Sequence, residues 1–264
     1  MGKIIVTRRR FLRATAMSFG GLMLAGCDKL NESVSFRAKL DAAESLTWRG
    51  QRLLLRGQAL AREFSPANIS PLFRVNGTSM PPDEEYQGFL ARGFADWRLV
   101  VDGLVEHPAS YSLAQLRQLP ARSQITRHDC VEGWSAIGRW TGVPLSILLQ
   151  AAGLKPAARY IIFHCADTYG GEPEKGGDER SGRYYESIDL IDAYHAQTIL
   201  AYAINGQTLP VGNGAPLRLR VERQLGYKQA KYVMRIEAAA SLEAVGGGKG
   251  GYWEDRGYEW YAGI

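Results

Sequence analysis

Between Trp97 and Ala238 the chain keeps returning to short apolar segments written with a period of two, and this pattern limits the fold more than any other feature. Leu217, Leu219 and Val221 alternate with Arg218, Arg220 and Glu222, which reads as a strand with one buried and one polar face. Strand-like stretches also cover Trp97–Val105, Ser123–Cys130, Tyr160–Cys165 and Tyr232–Ala238, with Pro216–Val221 holding the alternation just described. Helical signals are fewer and shorter: Pro144–Ala152, Ser187–Tyr194, and a segment opened by Ser112 with Gln115 three residues on, a capping box. Strands do not alternate regularly with helices, so the pattern predicts an α+β, β-rich mixed fold and not a doubly wound parallel sheet. The 264 residues are 45% hydrophobic and 22% charged, enough for a real core.

The net charge of +5 invites a nucleic-acid reading. It does not survive a look at where the charge lies. Residues 1–26 carry Lys3, Arg8, Arg9, Arg10 and Arg13 and no acid; the remainder holds 27 basic and 27 acidic residues. A neutral body argues against a phosphate-backbone binder, so no nucleic-acid partner is expected. Arg8-Arg9-Arg10-Phe11-Leu12 followed by apolar Ala14 to Ala25 resembles a twin-arginine export signal, too short to span a membrane. Leu24-Ala25-Gly26-Cys27 resembles a bacterial lipobox, which implies a lipid anchor through Cys27 and a periplasmic, membrane-tethered protein. The expected organisation is a signal over 1–27, a linker over 28–70 with one helix around Asp41–Ala61, and a folded domain over 71–264.

Beyond Cys27 the chain has two thiols, Cys130 and Cys165. In an exported protein they could form a disulfide, giving a noncatalytic lipoprotein. They could also bind metal, since His128 lies two residues before Cys130 and His164 precedes Cys165, although no zinc-type spacing is present.

Arg127-His128-Asp129-Cys130-Val131-Glu132-Gly133-Trp134 resembles the molybdenum-ligating segment of the sulfite oxidase family of molybdopterin-dependent oxidoreductases. Further stretches follow in that family's order: Trp97 to Pro120, Trp140-Thr141-Gly142-Val143-Pro144-Leu145, Leu200 to Arg218, and Gly226-Tyr227-Lys228-Gln229-Ala230-Lys231-Tyr232-Val233. The resemblance spans roughly residues 73–239 and implies the β-rich fold of the sulfite oxidase molybdopterin-binding domain. It also implies a molybdenum–molybdopterin cofactor with Cys130 as the protein's metal ligand. A soft, strongly donating thiolate suits a metal that holds several sulfurs while changing oxidation state, and Arg127 or a protonated His128 is expected to favour the thiolate. The family pattern places pterin contacts at Asn76, Asn213, Arg218, Gln229 and Lys231, with Lys228 a further candidate in the same basic turn; the Asp167-Thr168-Tyr169 loop falls near the metal and offers Thr168 as a cofactor contact, and an active-site tyrosine is implied at Tyr184.

Two departures bear on the substrate. Sulfite-oxidising members place an Arg directly before the first Asn, where this chain has Val75, and a His where it has Asn213. The implied activity is oxygen-atom transfer to or from a small sulfoxide or sulfur oxyanion, with a sulfite dehydrogenase as the rival within the family. The sequence lacks a C-x-x-C-H haem motif, so a membrane or soluble cytochrome is the implied electron partner. The aromatic tail, Tyr252 to Tyr261, is expected to pack back on the domain.

Overall fold

The computed structural model describes residues 33, 36, 43, 46–53, 58–169 and 182–264. The arginine-rich leader and Cys27 lie outside the described residues. The chain divides into two compact units, 1–54 and 55–264. In the first, a helix covers 46–53, inside the span expected for it. Among the described residues no helix is long and apolar enough to cross a membrane.

The second unit is built on two five-stranded sheets. The first sheet contains β1 (Arg98–Gly103), β2 (Ala109–Ser112), β5 (Tyr160–Thr168), β6 (Arg183–Asp189) and β10 (Val233–Ala239), ordered β2-β1-β10-β5-β6. Its only parallel pair is β1 with β10, in which Val101 sits opposite Ile236. The second sheet contains β3 (Arg122–Asp129), β4 (Ser135–Pro144), β7 (Ile199–Ile204) and β8 (Gln207–Thr208), in that order, with β9 (Arg218–Arg220) paired to β7. Among the described residues four short α-helices accompany the sheets: α1 (Glu84–Ala91), α2 (Leu113–Gln118), α3 (Leu145–Ala152) and α4 (Leu190–Ala193). The β-rich α+β expectation holds.

Both sheets feed one core. Leu99 and Val101 of β1, Ile161 to Phe163 of β5 and Ile236 of β10 meet Val143, Leu200, Leu217 and Leu219 from the second sheet. Leu145, Leu148 and Leu149 of α3 and Leu116 of α2 join them, all essentially inaccessible. Each such side chain contributes about 1.5–3 kcal/mol on burial. The capping box forms as its sequence predicts, with the Ser112 hydroxyl accepting from the Gln115 backbone amide.

Residues 59–70, read from sequence as linker, are bonded to the second unit. Phe64 N donates to Ile125 O at 2.9 Å, Ser70 N to Ile137 O at 2.9 Å, and Ala61 N to the Gln197 side chain at 2.8 Å. The Ser187–Tyr194 helix expectation also needs correction, because β6 runs through Asp189 and only Leu190–Ala193 is helical.

β9 corrects a larger reading. Its polar face is not exposed: Arg218 and Arg220 are both at 0% exposure. Arg220 is neutralised by Glu222, donating from Nε at 2.9 Å and from Nη2 at 2.6 Å. Among the described residues Arg218 has no such carboxylate.

Candidate molybdopterin site

Cys130 follows the last residue of β3 and opens the turn into β4. The turn is closed by Cys130 N donating to Trp134 O at 2.9 Å and by Gly133 N donating to Cys130 O at 3.1 Å. Gly133 takes φ +84°, a conformation open to glycine at little cost. Beneath the turn the ring of Phe73 meets Trp140 edge-on at 5.0 Å and His128 at 5.6 Å. The half-buried Cys130 side chain therefore projects from a stiff hairpin end into a cavity of about 290 Å³.

That cavity brings together Asn76, Cys130, Tyr184, Gln229 and Lys231 of the residues chosen from sequence. Asn213 and Arg218 stand behind its wall: Arg218 donates to Asn213 O at 3.2 Å and to Asn76 Oδ1 at 3.5 Å. Asn76 is presented by a loop whose next residue, Gly77, has φ +59°, and a Cβ there would collide with the Tyr169 hydroxyl.

Two further sequence choices are brought neither into the wall nor directly behind it. Thr168 lies between Asp167 and Tyr169, both of which do line the cavity; with alternate residues on opposite strand faces, Thr168 points elsewhere. Lys228 is a clear correction. Its ammonium is at 0% exposure, bonded to Glu186 and, at 2.5 Å, to Glu254. It pins the C-terminal tail to β6 and does not face the cofactor pocket.

The sequence reading passed over Glu132, Asp167, Tyr169, Tyr227, Trp253 and Tyr258, which all line the cavity. The tail packs back as expected and supplies two of these. Trp253 and Tyr258 stack at 5.3 Å, and Tyr227 meets Tyr258 edge-on at 5.2 Å. The Tyr184 hydroxyl donates to Tyr227 O, and burial keeps its pKa well above the ordinary phenol value.

The electrostatics of the site favour an anionic guest. Burial, with Arg220 beside it, draws Arg218 down from the ordinary arginine value to about 9. Burial and then Arg218 bring Lys231 to about 7, while Asp167 opposes them. Lys231 donates to Thr78 O and to Gly212 O at 3.0 Å. Among the described residues neither cation is ion-paired, and a buried charge without a counter-charge is costly. Asn213 Nδ2, Arg218 Nε and Asp167 Oδ1 are buried and lack a hydrogen-bond partner.

The expected cations beside Cys130 are absent. Arg127 is turned to Asp129 at 2.9 Å. His128 is held neutral by burial and by the nearby Arg218 and Arg220, and its Nδ1 accepts from Arg220 at 3.0 Å. Burial pushes the Cys130 thiol up, with Arg218 pulling the other way. Metal binding must therefore displace the thiol proton. Cys130 and Cys165 are both free, and Cys165 is buried, so the disulfide reading is overturned.

Unpaired cations, orphaned donors and one accessible thiol fit a phosphate-bearing pterin that carries a thiophilic metal. Comparison with known proteins agrees. The sequence model described as "Oxidoreductase molybdopterin binding domain" matches residues 89–244. The putative protein-methionine-sulfoxide reductase subunit YedZ1 of Azospira oryzae is 37% identical, over 97% of this chain and 87% of its own length. The protein-methionine-sulfoxide reductase catalytic subunit MsrP of Ralstonia nicotianae is 34% identical, over 87% of this chain and 67% of its own. Among solved structures, the sulfane dehydrogenase SoxCD from Paracoccus pantotrophus gives a TM-score of 0.49 at 22% identity, covering 71% of this chain and under half, 46%, of that one. The chain belongs to the sulfite oxidase family of molybdopterin-dependent oxidoreductases, and it is an enzyme of that family whose cofactor is molybdenum–molybdopterin.

Proposed function

We propose that this chain is the exported catalytic subunit of a sulfoxide reductase acting on neutral sulfoxides such as the methionine sulfoxide side chain. The sulfur–oxygen bond breaks, sulfur gains two electrons, and the oxygen leaves with two protons as water. The electrons arrive singly from a membrane or soluble cytochrome. The leader supports twin-arginine export to the periplasm and tethering by an acylated Cys27, which mass spectrometry of the mature N-terminus checks directly.

The observation that carries the reading is the lining of the cavity beside Cys130. It combines Tyr169, Tyr184, Tyr227, Trp253 and Tyr258 with the carboxylates Glu132 and Asp167, and among the described residues its single cationic wall residue is Lys231. Sulfite is an anion and needs a cation at the front of the site. Here Val75 stands where sulfite-oxidising relatives place Arg, and it packs against Gly212. Aromatic faces suit the methyl and methylene groups of a thioether-type substrate.

When bound, the cofactor supplies a centre that exchanges two electrons and an oxygen atom. The chain's own work is to hold it and to manage protons. Cys130 provides the thiolate ligand, and Asn76, Asn213, Arg218, Gln229 and Lys231 hold the pterin and its phosphate by fork-shaped and charge-assisted hydrogen bonds. Tyr184 keeps its proton on Tyr227 O and positions its ring in the wall. Asp167 is the group suited to hold a proton at neutrality, because burial raises its pKa to about 7.

The deciding experiment assays the molybdenum-loaded protein with artificial electron carriers, for methionine-sulfoxide reduction and for sulfite oxidation. Reduction is the expected result. Turnover of sulfite alone overturns the proposal.

A further inference from the structure

We propose that Trp253 and Tyr258 are specificity-determining residues that clasp the alkyl arm of a sulfoxide side chain presented on an extended polypeptide. The inference rests on the reductase reading and deepens it. Both rings line the Cys130 cavity, yet they lie beyond residue 244, where the match to the family's shared domain ends. The alignment with the YedZ1 relative covers 97% of this chain, so most of this tail lies outside the family's common domain without being unique to this chain.

The wall is prebuilt. Glu254, between the two rings in sequence, is drawn into the core by Lys228. Tyr252 N donates to Tyr185 O at 3.0 Å and Leu225 N to Ala262 O at 2.9 Å, so the tail is bonded on both sides of the aromatic pair. The Trp253 ring is also packed edge-on against Tyr252 at 5.3 Å and against Tyr169 at 5.6 Å. Tyr258 stacks on Trp253 while remaining 41% exposed. A rigid aromatic step therefore leads from solvent down to the cavity. It offers ring faces and no charge, which suits an uncharged –CH₂–CH₂–S(O)–CH₃ arm entering from a peptide.

The test compares a peptide carrying one methionine sulfoxide with dimethyl sulfoxide, which has no arm, in molybdenum-loaded wild type, Trp253→Ala, Tyr258→Ala and Trp253→Phe. The ratio of kcat/KM for peptide over dimethyl sulfoxide falls about tenfold in Trp253→Ala, mainly through KM, and Trp253→Phe recovers most of it. Calorimetric Kd for the same peptide bearing methionine sulfone, which is not reduced, rises by about tenfold, or about 1.4 kcal/mol. Equal losses on both substrates, or an unchanged sulfone Kd in both alanine variants, overturn the proposal, as does a wild type that binds no sulfone peptide. If wild type binds that peptide through Trp253 but reduces no sulfoxide, the wall stands and the reductase reading falls.

Discussion

Replacing Arg218 by Met should stabilise the cofactor-free protein while loosening its hold on the cofactor. The guanidinium has no exposure and no carboxylate bonded to it, and its hydrogen bonds to Asn213 O and Asn76 Oδ1 are long, at 3.2 and 3.5 Å. Lowering its pKa from the ordinary arginine value to about 9 corresponds to a cost on the order of 5 kcal/mol for holding the charge in the cofactor-free fold. Methionine loses those two bonds, at about 1 kcal/mol each, and the stacking on Trp140 at 5.1 Å. The balance is a gain of about 1–3 kcal/mol in unfolding free energy, in line with other replacements of buried charges by apolar groups. Against this, a charge-assisted contact to the pterin phosphate worth about 1.5–3 kcal/mol disappears, so retention falls at least tenfold. The sign with pH follows from the lowered pKa: above about 9, and until the arginine of the unfolded chain titrates in turn, the unfolded chain binds more protons, so wild-type stability rises with pH there, and the variant's does not. Urea unfolding of cofactor-free protein and pterin fluorescence of the loaded protein read the two effects. A variant that is less stable when empty, yet keeps its cofactor, refutes the reasoning.

Two further outcomes can be checked on the same material. If Asp167 holds the proton used in turnover, kcat/KM for a sulfoxide declines above about pH 7, where its carboxyl ionises, and Asp167→Asn flattens that limb; an unchanged profile in the variant removes Asp167 from the proton supply. Lys228→Met leaves Glu186 and Glu254 buried without their cation and should cost about 3–5 kcal/mol in urea unfolding, while molybdenum content per folded molecule stays that of wild type; a selective loss of molybdenum would return Lys228 to the cofactor site.

Much of this was legible in the sequence, for identifiable reasons. β1, β3, β5 and β10 each hold β-branched or aromatic residues, Val100 and Val101, Ile125 and Thr126, Tyr160 to Phe163, and Val233 and Ile236, so they announce themselves. β4 does not, because glycines stand within it: a Cβ at Gly142 would fall 2.6 Å from Ala201 Cα on the neighbouring β7, and one at Gly138 would fall 3.1 Å from the Phe73 ring. Close backbone approach, not side-chain pattern, makes that strand. The first sheet's β6 reads poorly because Glu186, Ser187 and Asp189 are buried there, partnered by a lysine and a tail far along the chain.

The site was legible where a motif fixed it, as at Cys130, Asn76, Gln229 and Lys231. It was misread where one residue's role depends on a distant partner. Lys228 sits in a basic turn beside true cavity residues, and only Glu186 and Glu254 reveal that it serves the fold. Asp167 and Tyr169 were one residue away from Thr168, and strand parity was the available signal that could have chosen them. Trp253 and Tyr258 carried only an aromatic bias, which does not say which surface the tail covers.

The most direct test of the account is X-ray absorption at the molybdenum edge of wild type and Cys130→Ser, each loaded with cofactor, because it counts the sulfurs around the metal. One sulfur fewer in the variant than in wild type is predicted, the missing one being Cys130 Sγ. The same sulfur count in both proteins would contradict the assignment of Cys130 as the metal ligand.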